Sequence, residues 1–235
     1  AALQRLYGGV ARRHPHLLEG GSHVNMDAPA LVRQLVLRSV GWAGPLAASE
    51  FVITNSCTEA LGLCLRAVTQ PGDTVAVESP AYYLMLQLLE TLGLKALEIP
   101  TDPHSGLSIE ALDLATRQGR VAACLLVPNA SNPLGSIMPD EHKRRLARLS
   151  AERDLAVIES APQPANTSST EPSRAIKTFD TTGNVMLCSS FSKCLSPALR
   201  IGFVAAGRYR ARIALQKTIT SGATNPVTQQ VLAEY

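Results

Sequence analysis

The lysine at residue 193 is the side chain of this sequence best suited to covalent chemistry. Lys193 ends the segment Ser190-Phe191-Ser192-Lys193, which follows an apolar run over residues 185–188, and Arg200 lies seven residues further on. A primary amine forms an imine with an aldehyde only when it is deprotonated. We therefore expect Lys193 in a partly desolvated place beside a cation, where the amine loses its proton more readily. Pyridoxal phosphate (PLP) is the aldehyde cofactor to test.

A second candidate site is the turn over residues 54–60, which links a predicted strand to a predicted helix. The start of a helix offers unpaired N–H groups and the positive end of the helix dipole to an anion such as phosphate. The alternative is a capping box, Ser56-x-x-Glu59, which satisfies the same N–H groups without a ligand. With Lys193 and Arg200 in the same chain, phosphate binding is favoured.

Two further segments carry an aromatic ring and an amide that could contact a ring-shaped ligand. Tyr82 follows Ser79-Pro80-Ala81, and its flat face either stacks on the ligand or packs on its own helix. Its neighbour Tyr83 is predicted to lie in the core. Asn132-Pro133-Leu134-Gly135 follows a predicted strand and, by itself, is typical of an ordinary turn.

Short apolar runs alternate with longer helical patterns from residue 51 onward, which is typical of βαβ units around a mostly parallel sheet with helices on both faces. Strands are predicted at residues 51–54, 74–78, 95–99, 121–127, 155–158, 184–189 and 201–205. Helices are predicted at residues 29–40, 57–69, 81–92, 108–118, 139–150, 207–221 and 225–235.

The predicted organisation is an N-terminal segment with one helix over residues 1–45 and a ligand-binding α/β domain over residues 46–235. Residues 1–28 show little periodicity and are expected to form a loose entry segment. Residues 159–174 are polar and rich in proline, and this composition predicts a long loop. The sequence stops within a helical pattern, which suggests a fragment.

Composition limits the classes of function. The chain has 235 residues, 46% of them hydrophobic, and a net charge of +3. No apolar run is long enough to span a bilayer and no signal peptide is evident, so a cytoplasmic location is expected. The five cysteines form no C-x-x-C pair, and no metal site is predicted. Basic clusters such as Lys143-Arg144-Arg145 are expected to be solvated, without direct nucleic-acid binding.

Ser190-x-x-Lys193 also fits the S-x-x-K motif of penicillin-recognising serine enzymes. That motif requires a helix carrying the pair, with S-D-N and K-T-G segments downstream. Here a predicted strand precedes the pair, no S-D-N exists, and Lys217-Thr218-Ile219 lacks the glycine. The serine-enzyme alternative is therefore disfavoured.

Four motifs, taken in order, resemble fold-type-I PLP enzymes of the aspartate aminotransferase superfamily. The resemblance is strongest to the aminotransferase-like domain of the MocR branch of GntR regulators, and it runs from about residue 29 to residue 235. The motifs are Gly72-Asp73-Thr74-Val75, Glu78-Ser79-Pro80-Ala81-Tyr82, Asn132-Pro133-Leu134-Gly135 and the segment 190–202. The resemblance implies the large domain of that fold, with the small C-terminal domain missing.

The resemblance also implies a role for each candidate residue. Lys193 would form the imine with PLP and move the substrate proton, Tyr82 would stack on the pyridine ring, and Asn132 would donate to the phenolic oxygen. The cofactor phosphate would be held by Ser56, Cys57, Thr58, Ser190 and Arg200. The implied partners are an amino acid, a 2-oxo acid and a second copy of the chain in a homodimer.

The sequence departs from the family after Glu159. The family places an aspartate that pairs with the pyridinium nitrogen where this chain has Ser160, and a tyrosine where it has Gln163. Ahead of the first predicted helix, Ser22 and Asp27 replace a tyrosine and a glycine. Without the aspartate the ring is a weaker electron sink, so transamination is expected to be slow. Two functions follow: an aminotransferase-like domain, or a catalytically impaired PLP-binding effector domain of a MocR-type regulator.

Overall fold

An eight-stranded mixed β-sheet forms the centre of the computed structural model, which describes residues 2–19, 27–161 and 173–235. The sheet order is β1-β8-β7-β6-β5-β2-β3-β4. The strands are β1 (Phe51–Thr54), β2 (Thr74–Ser79), β3 (Lys95–Asp102), β4 (Gly106–Leu107), β5 (Val121–Leu126), β6 (Ala156–Ser160), β7 (Val185–Ser190) and β8 (Gly202–Ala205). The five strands β7, β6, β5, β2 and β3 are parallel, whereas β1–β8, β8–β7 and β3–β4 are antiparallel pairs.

The helices of the described residues follow the predicted order. They are α1 (Ala2–Arg13), α2 (Pro29–Ser39), α3 (Cys57–Val68), α4 (Tyr83–Thr91), α5 (Ile109–Gln118), α6 (Asp140–Arg153), α7 (Arg210–Thr220) and α8 (Pro226–Glu234). Seven of them lie within a few residues of the predicted bounds. Among the α-helices and strands of the described residues, α1 and the two-residue strand β4 were not predicted. The strand β3 extends to Asp102 instead of ending at residue 99, and β6 extends to Ser160 instead of ending at residue 158.

Helices cover both faces of the sheet, as the sequence predicts. Side chains alternate along each strand, so Val75 and Val77 face α3, α4 and α7, whereas Ala76 between them faces α5 and α6. At the β1 end of the sheet, Phe203 faces the opposite side from Val204 and joins a cluster with α2 and α8. The apolar runs in the sequence therefore correspond to strands that are buried on both faces.

The helix α1 packs on the last helix of the chain. Val10 is fully buried against Val227 and Val231 of α8, and the Tyr7 hydroxyl lies 2.6 Å from the Thr228 hydroxyl. The expectation of a loose segment over residues 1–28 was therefore wrong for Ala2–Arg13. Packing against a helix more than two hundred residues away stabilises α1, and local periodicity does not report such a contact. The predicted domain boundary near residue 45 stays a prediction.

No helix among the described residues is long and apolar enough to cross a membrane.

Candidate cofactor-binding site

The predicted site residues meet at one edge of the sheet. The carboxyl ends of parallel strands point to the same edge, where α/β folds bind ligands. Strand register extends this edge to β1 and β8, because Gly202 pairs with both Thr54 and Ser190. Each predicted site residue follows a strand end here or precedes β8: Ser56, Cys57 and Thr58 after β1, Tyr82 after β2, Asn132 after β5, Ser160 at the end of β6, Ser190 and Lys193 at β7, and Arg200 before β8.

The start of α3 combines a cap with open N–H groups. The Ser56 hydroxyl accepts the Glu59 N–H at 3.0 Å, as the capping alternative predicts. The Glu59 carboxylate, however, accepts the N–H of Asn55 and not that of Ser56. Cys57 and Thr58 are the first two residues of the helix, and such positions have no intrahelical acceptor for their N–H groups. Capping and anion binding are therefore compatible in this turn.

Gly202 lets the turn before α3 pack against β7 and β8, the strands on either side of Lys193. A β-carbon at Gly202 would lie 2.5 Å from the Ser56 carbonyl carbon and 2.8 Å from the Ser189 carbonyl oxygen. Both atoms belong to the backbone and cannot move aside as a flexible side chain could. Only glycine at this position lets the helix start approach the end of β7, and the two predicted phosphate-binding segments are thereby placed side by side.

Lys193 and Arg200 lie in one connection between β7 and β8. The connection is closed at its base by the Phe191 N–H, which donates to the Ile201 carbonyl at 3.1 Å, and Leu195 donates to Phe191 at 3.0 Å. Both Lys193 and Arg200 are exposed. The expectation that Lys193 is partly desolvated was therefore wrong for the chain by itself. Within the described parts of the chain, the Lys193 amine has no hydrogen-bond or ion-pair partner.

Ser160 occupies the end of β6 and contacts the start of α3. Its hydroxyl lies 3.8 Å from the Cys57 thiol, and its residue is 9% exposed. Burial raises the pKa of the Cys57 thiol to about 12, so this pair is neutral at physiological pH. The place where the family has an aspartate therefore holds an uncharged hydrogen-bonding pair.

Three other residues depart from the family pattern, and one of them is described by the structure. Gln163 and Ser22 lie outside the described residues. Asp27 is described, and its carboxylate accepts the backbone N–H of Ile53 in β1 at 3.0 Å. Burial raises the pKa of Asp27, an effect that this hydrogen bond partly offsets.

The two tyrosines after β2 differ in burial, and Tyr83 is not where the sequence predicts it. Tyr83 is 61% exposed, so the expectation that it belongs to the core was wrong. Tyr82 is half-buried, packs against the core cluster under α3 and α4, and lies edge-on to Tyr83 with ring centroids 5.0 Å apart. The helix α4 begins one residue after Tyr82, and this phase turns the Tyr83 side chain outward.

Asn132 is exposed at the tip of a loop between β5 and α6. The loop is closed by the paired hydroxyls of Ser131 and Ser136, 2.6 Å apart, and by a β-bridge between Asn129 and Ile137. Below it lies Lys143, whose side chain is fully buried although its cluster was expected to be solvated. That expectation was wrong for Lys143 and correct for Arg144 and Arg145, whose side chains are 46% and 39% exposed.

Sequence reasoning did not assign a role to Gly202, Ser189 or Lys143. Ser189 is buried, and its hydroxyl donates to the Ala161 carbonyl at 2.6 Å, which ties β7 to the residue after Ser160. A glycine opening an otherwise apolar strand was the signal available for Gly202. For Lys143 a signal was its place between apolar neighbours one helical turn away, Pro139 and Ala147.

A profile of the aminotransferase class I and II family matches residues 28–235. The chain is 43% identical over 188 residues to the uncharacterized HTH-type transcriptional regulator YjiR of Escherichia coli (strain K12), covering 80% of this chain and 40% of the relative. It is 29% identical over 197 residues to aromatic-amino-acid aminotransferase 1 of Thermococcus litoralis, covering 81% and 47%. The crystal structure of the multiple substrate aminotransferase from Thermococcus profundus matches with a TM-score of 0.87 and 26% identity, over 99% of this chain and 59% of that one.

The mixed sheet and the edge that gathers a lysine, a helix start and an arginine define a ligand-binding domain of the aminotransferase type. The chain belongs to the aminotransferase class I and II family, as the sequence motifs indicate. This family uses pyridoxal phosphate, and its members related to this chain include both HTH-type regulators and aminotransferases. The chain spans less than half the length of the two curated relatives, at 40% and 47%.

Proposed function

We propose that this domain binds PLP at the strand-end site, with Lys193 as the residue that carries the cofactor. The observation that supports this most directly is the close approach of Gly202 to Ser56, because it leaves room for the helix start beside the β7–β8 connection. An exposed amine and a guanidinium in that connection complete a site for an aldehyde and a phosphate.

The residues present fit the phosphate end of PLP. The first N–H groups of α3, with the hydroxyls of Ser56 and Thr58, would donate to phosphate oxygens. From the other side, Ser190 and the Arg200 guanidinium would donate to the same group. Tyr82 would cover one face of the ring, and Asn132 would donate to the phenolic oxygen.

The residue expected near the pyridine nitrogen of PLP fits the cofactor less well. Ser160 offers a neutral hydroxyl, which would not hold a proton on the pyridine nitrogen as a carboxylate does. When bound, the cofactor supplies an aldehyde for amines and a ring that delocalises negative charge. With its amine free, Lys193 would act as the base that takes the substrate Cα proton. We propose slow amino transfer between an amino acid and a 2-oxo acid.

A second candidate is a PLP-binding effector domain of a MocR-type regulator. Two observations favour it, namely the neutral Ser160–Cys57 pair and the 43% identity to an HTH-type transcriptional regulator. In this role Lys193 would hold the cofactor and an amino acid would alter the complex without net amino transfer. The expected cytoplasmic location, and the homodimer that the resemblance implies, belong to either proposal.

The test is a titration of the protein with PLP, followed by visible absorbance of the lysine-bound cofactor. We expect a saturable band in wild type and none in Lys193→Ala, whereas Lys95→Ala, which removes an exposed lysine on β3, keeps the band. Absence of the band in wild type would refute the cofactor assignment. Amino transfer is supported if an amino acid depletes the band and a 2-oxo acid restores it. The effector role is supported if an amino acid shifts the band without such a cycle.

A further inference from the structure

Lys143 is a buried lysine that contacts the base of the loop carrying Asn132. Its side chain on α6 is 0% exposed, and its amine donates to the Asn129 amide oxygen at 2.7 Å and to the Ser173 hydroxyl at 2.8 Å. Among the described residues, the carboxylate oxygen within 4 Å of this amine is that of Asp140, 3.9 Å away. Two short hydrogen bonds to neutral oxygens therefore orient this ammonium more directly than an ion pair does.

Asn129 connects this lysine to residues 173–174 and to the loop that carries Asn132. Its amide nitrogen donates to the Arg174 carbonyl at 3.1 Å, and its oxygen also accepts from the Ser173 hydroxyl at 2.6 Å. On its other side Asn129 forms the β-bridge with Ile137 that closes the loop over residues 129–137. The loop is thus held at its base, and Asn132 is exposed at its tip.

Stabilisation of the fold does not by itself account for an ammonium in the surroundings of Lys143. Burying an ammonium destabilises the folded state unless its hydrogen bonds and charge are fully matched, and an apolar side chain in such a place is often as stable. The buried carboxyl of Glu159 is also near Lys143, but its oxygens accept the N–H groups of Ile176 and Lys177, each at 3.1 Å. The amine therefore directs its hydrogen bonds toward Asn129 and Ser173.

We infer that Lys143 is a positioning residue for the cofactor site: through Asn129 it fixes the loop that presents Asn132 to the phenolic oxygen of the cofactor. This inference rests on the proposed PLP site, but its first consequence concerns the loop alone. Lys143 is fully buried at the base of the loop, so we expect its effect on cofactor binding to act through the position of Asn132.

The loop is tested by amide hydrogen exchange of the protein without cofactor. The Gly135 N–H donates to the Ser131 carbonyl at 2.6 Å within the loop, and the Met138 N–H donates to the Pro128 carbonyl at 2.7 Å at its base. We expect Lys143→Met to speed their exchange about tenfold or more, and Lys143→Arg to restore part of the protection. The matched control is Lys177→Met, which removes another buried lysine, paired with Glu50 and Asp180 and not with Asn129. Equal exchange in both methionine variants would overturn the inference.

The link to Asn132 is tested by a double-mutant cycle on PLP affinity. We expect Lys143→Met to weaken PLP binding up to about tenfold in wild type and to have almost no effect in an Asn132→Ala background. Full additivity of the two changes would contradict positioning through Asn132. If Lys143→Met does not fold, Asn129→Ala replaces it in both experiments, since Asn129 is only partly buried. Failure of wild type to bind PLP would refute the proposed function. The hydrogen-exchange result would still test whether Lys143 holds the loop, because it is measured without cofactor.

Discussion

Gly202 and Ser56 lie so close together that a β-carbon on residue 202 would be 2.5 Å from the Ser56 carbonyl carbon. The two residues come from different parts of the chain, one from the strand after Lys193 and the other from the turn before α3. Their contact joins the two halves of the proposed phosphate site without any side chain in between. The proposed site therefore requires a residue without a β-carbon at position 202.

Replacing Gly202 with alanine should damage both stability and cofactor binding. The added methyl group meets backbone atoms of Ser56 and Ser189, so the α3 turn must move, at a cost of about 1–3 kcal/mol in the free energy of unfolding. We expect PLP affinity to fall at least about tenfold as well. Gly119→Ala is the control, because nothing lies within 4 Å of a β-carbon there. Urea unfolding and PLP titration measure both effects, and an unchanged affinity in Gly202→Ala would contradict this account.

Arg200 should affect stability and binding in opposite directions. Its φ of 50° is left-handed, which costs a non-glycine residue about 1 kcal/mol, and Arg200→Gly relieves this strain. The same change removes the guanidinium proposed to hold phosphate, so PLP affinity should fall while the denaturation midpoint rises. Asp154→Gly, at a φ of 51° at the end of α6, should raise the midpoint alone. Weaker PLP binding in Asp154→Gly would show that the loss of affinity in Arg200→Gly comes from the backbone change and not from the missing guanidinium.

Ser160→Asp should restore the charge that the family places at the ring nitrogen. Without cofactor the new carboxylate lies buried beside the Cys57 thiol, so the protein should lose roughly 1–3 kcal/mol of stability. With PLP bound, it would keep the pyridine nitrogen protonated and speed amino transfer about tenfold or more. Stopped-flow absorbance after mixing with an amino acid measures this rate. Ser160→Asn provides the uncharged control, and equal rates in the two variants would rule out the charge as the cause.

Stability should fall as pH rises from about 4.5 to about 7, partly because of Glu78. Burial raises the pKa of this carboxyl from 4.5 to about 7, although its Oε2 accepts the Val127 N–H at 2.8 Å. The folded state thus binds the proton more tightly than the unfolded chain. The contribution of protonated Glu78 to the free energy of unfolding is complete below pH 4.5 and lost by pH 7. The loss amounts to about 3 kcal/mol.

The variant Glu78→Gln isolates that contribution in urea unfolding across the same pH range. The decline should become shallower, although not flat, because burial also raises the pKa of Glu159 to about 7. Glu98→Gln, which changes an exposed carboxylate on β3, is the control. A decline of the same depth in wild type and Glu78→Gln would contradict the role assigned to this carboxyl.

Much of the fold could be predicted from the sequence because its signals are local. The strand β1 was predicted at residues 51–54, where the structure has it, and α3 was predicted to begin at Cys57, as it does. The alternation of apolar runs with amphipathic patterns predicts a parallel sheet, and strand ends then predict which edge carries the site. The roles of Lys193, Arg200 and Tyr82 within that site stay predictions.

Periodicity and chain direction were enough to predict the order of the elements, the type of sheet and the gathering of candidate residues at strand ends. The formation of α1, the burial of Lys143 and the exposure of Tyr83 could be seen only in the folded chain. These outcomes depend on which surface a side chain meets after the chain has folded back on itself. The approach of Gly202 to Ser56 is of the same kind, because a glycine in a sequence shows neither what lies beside it nor how near.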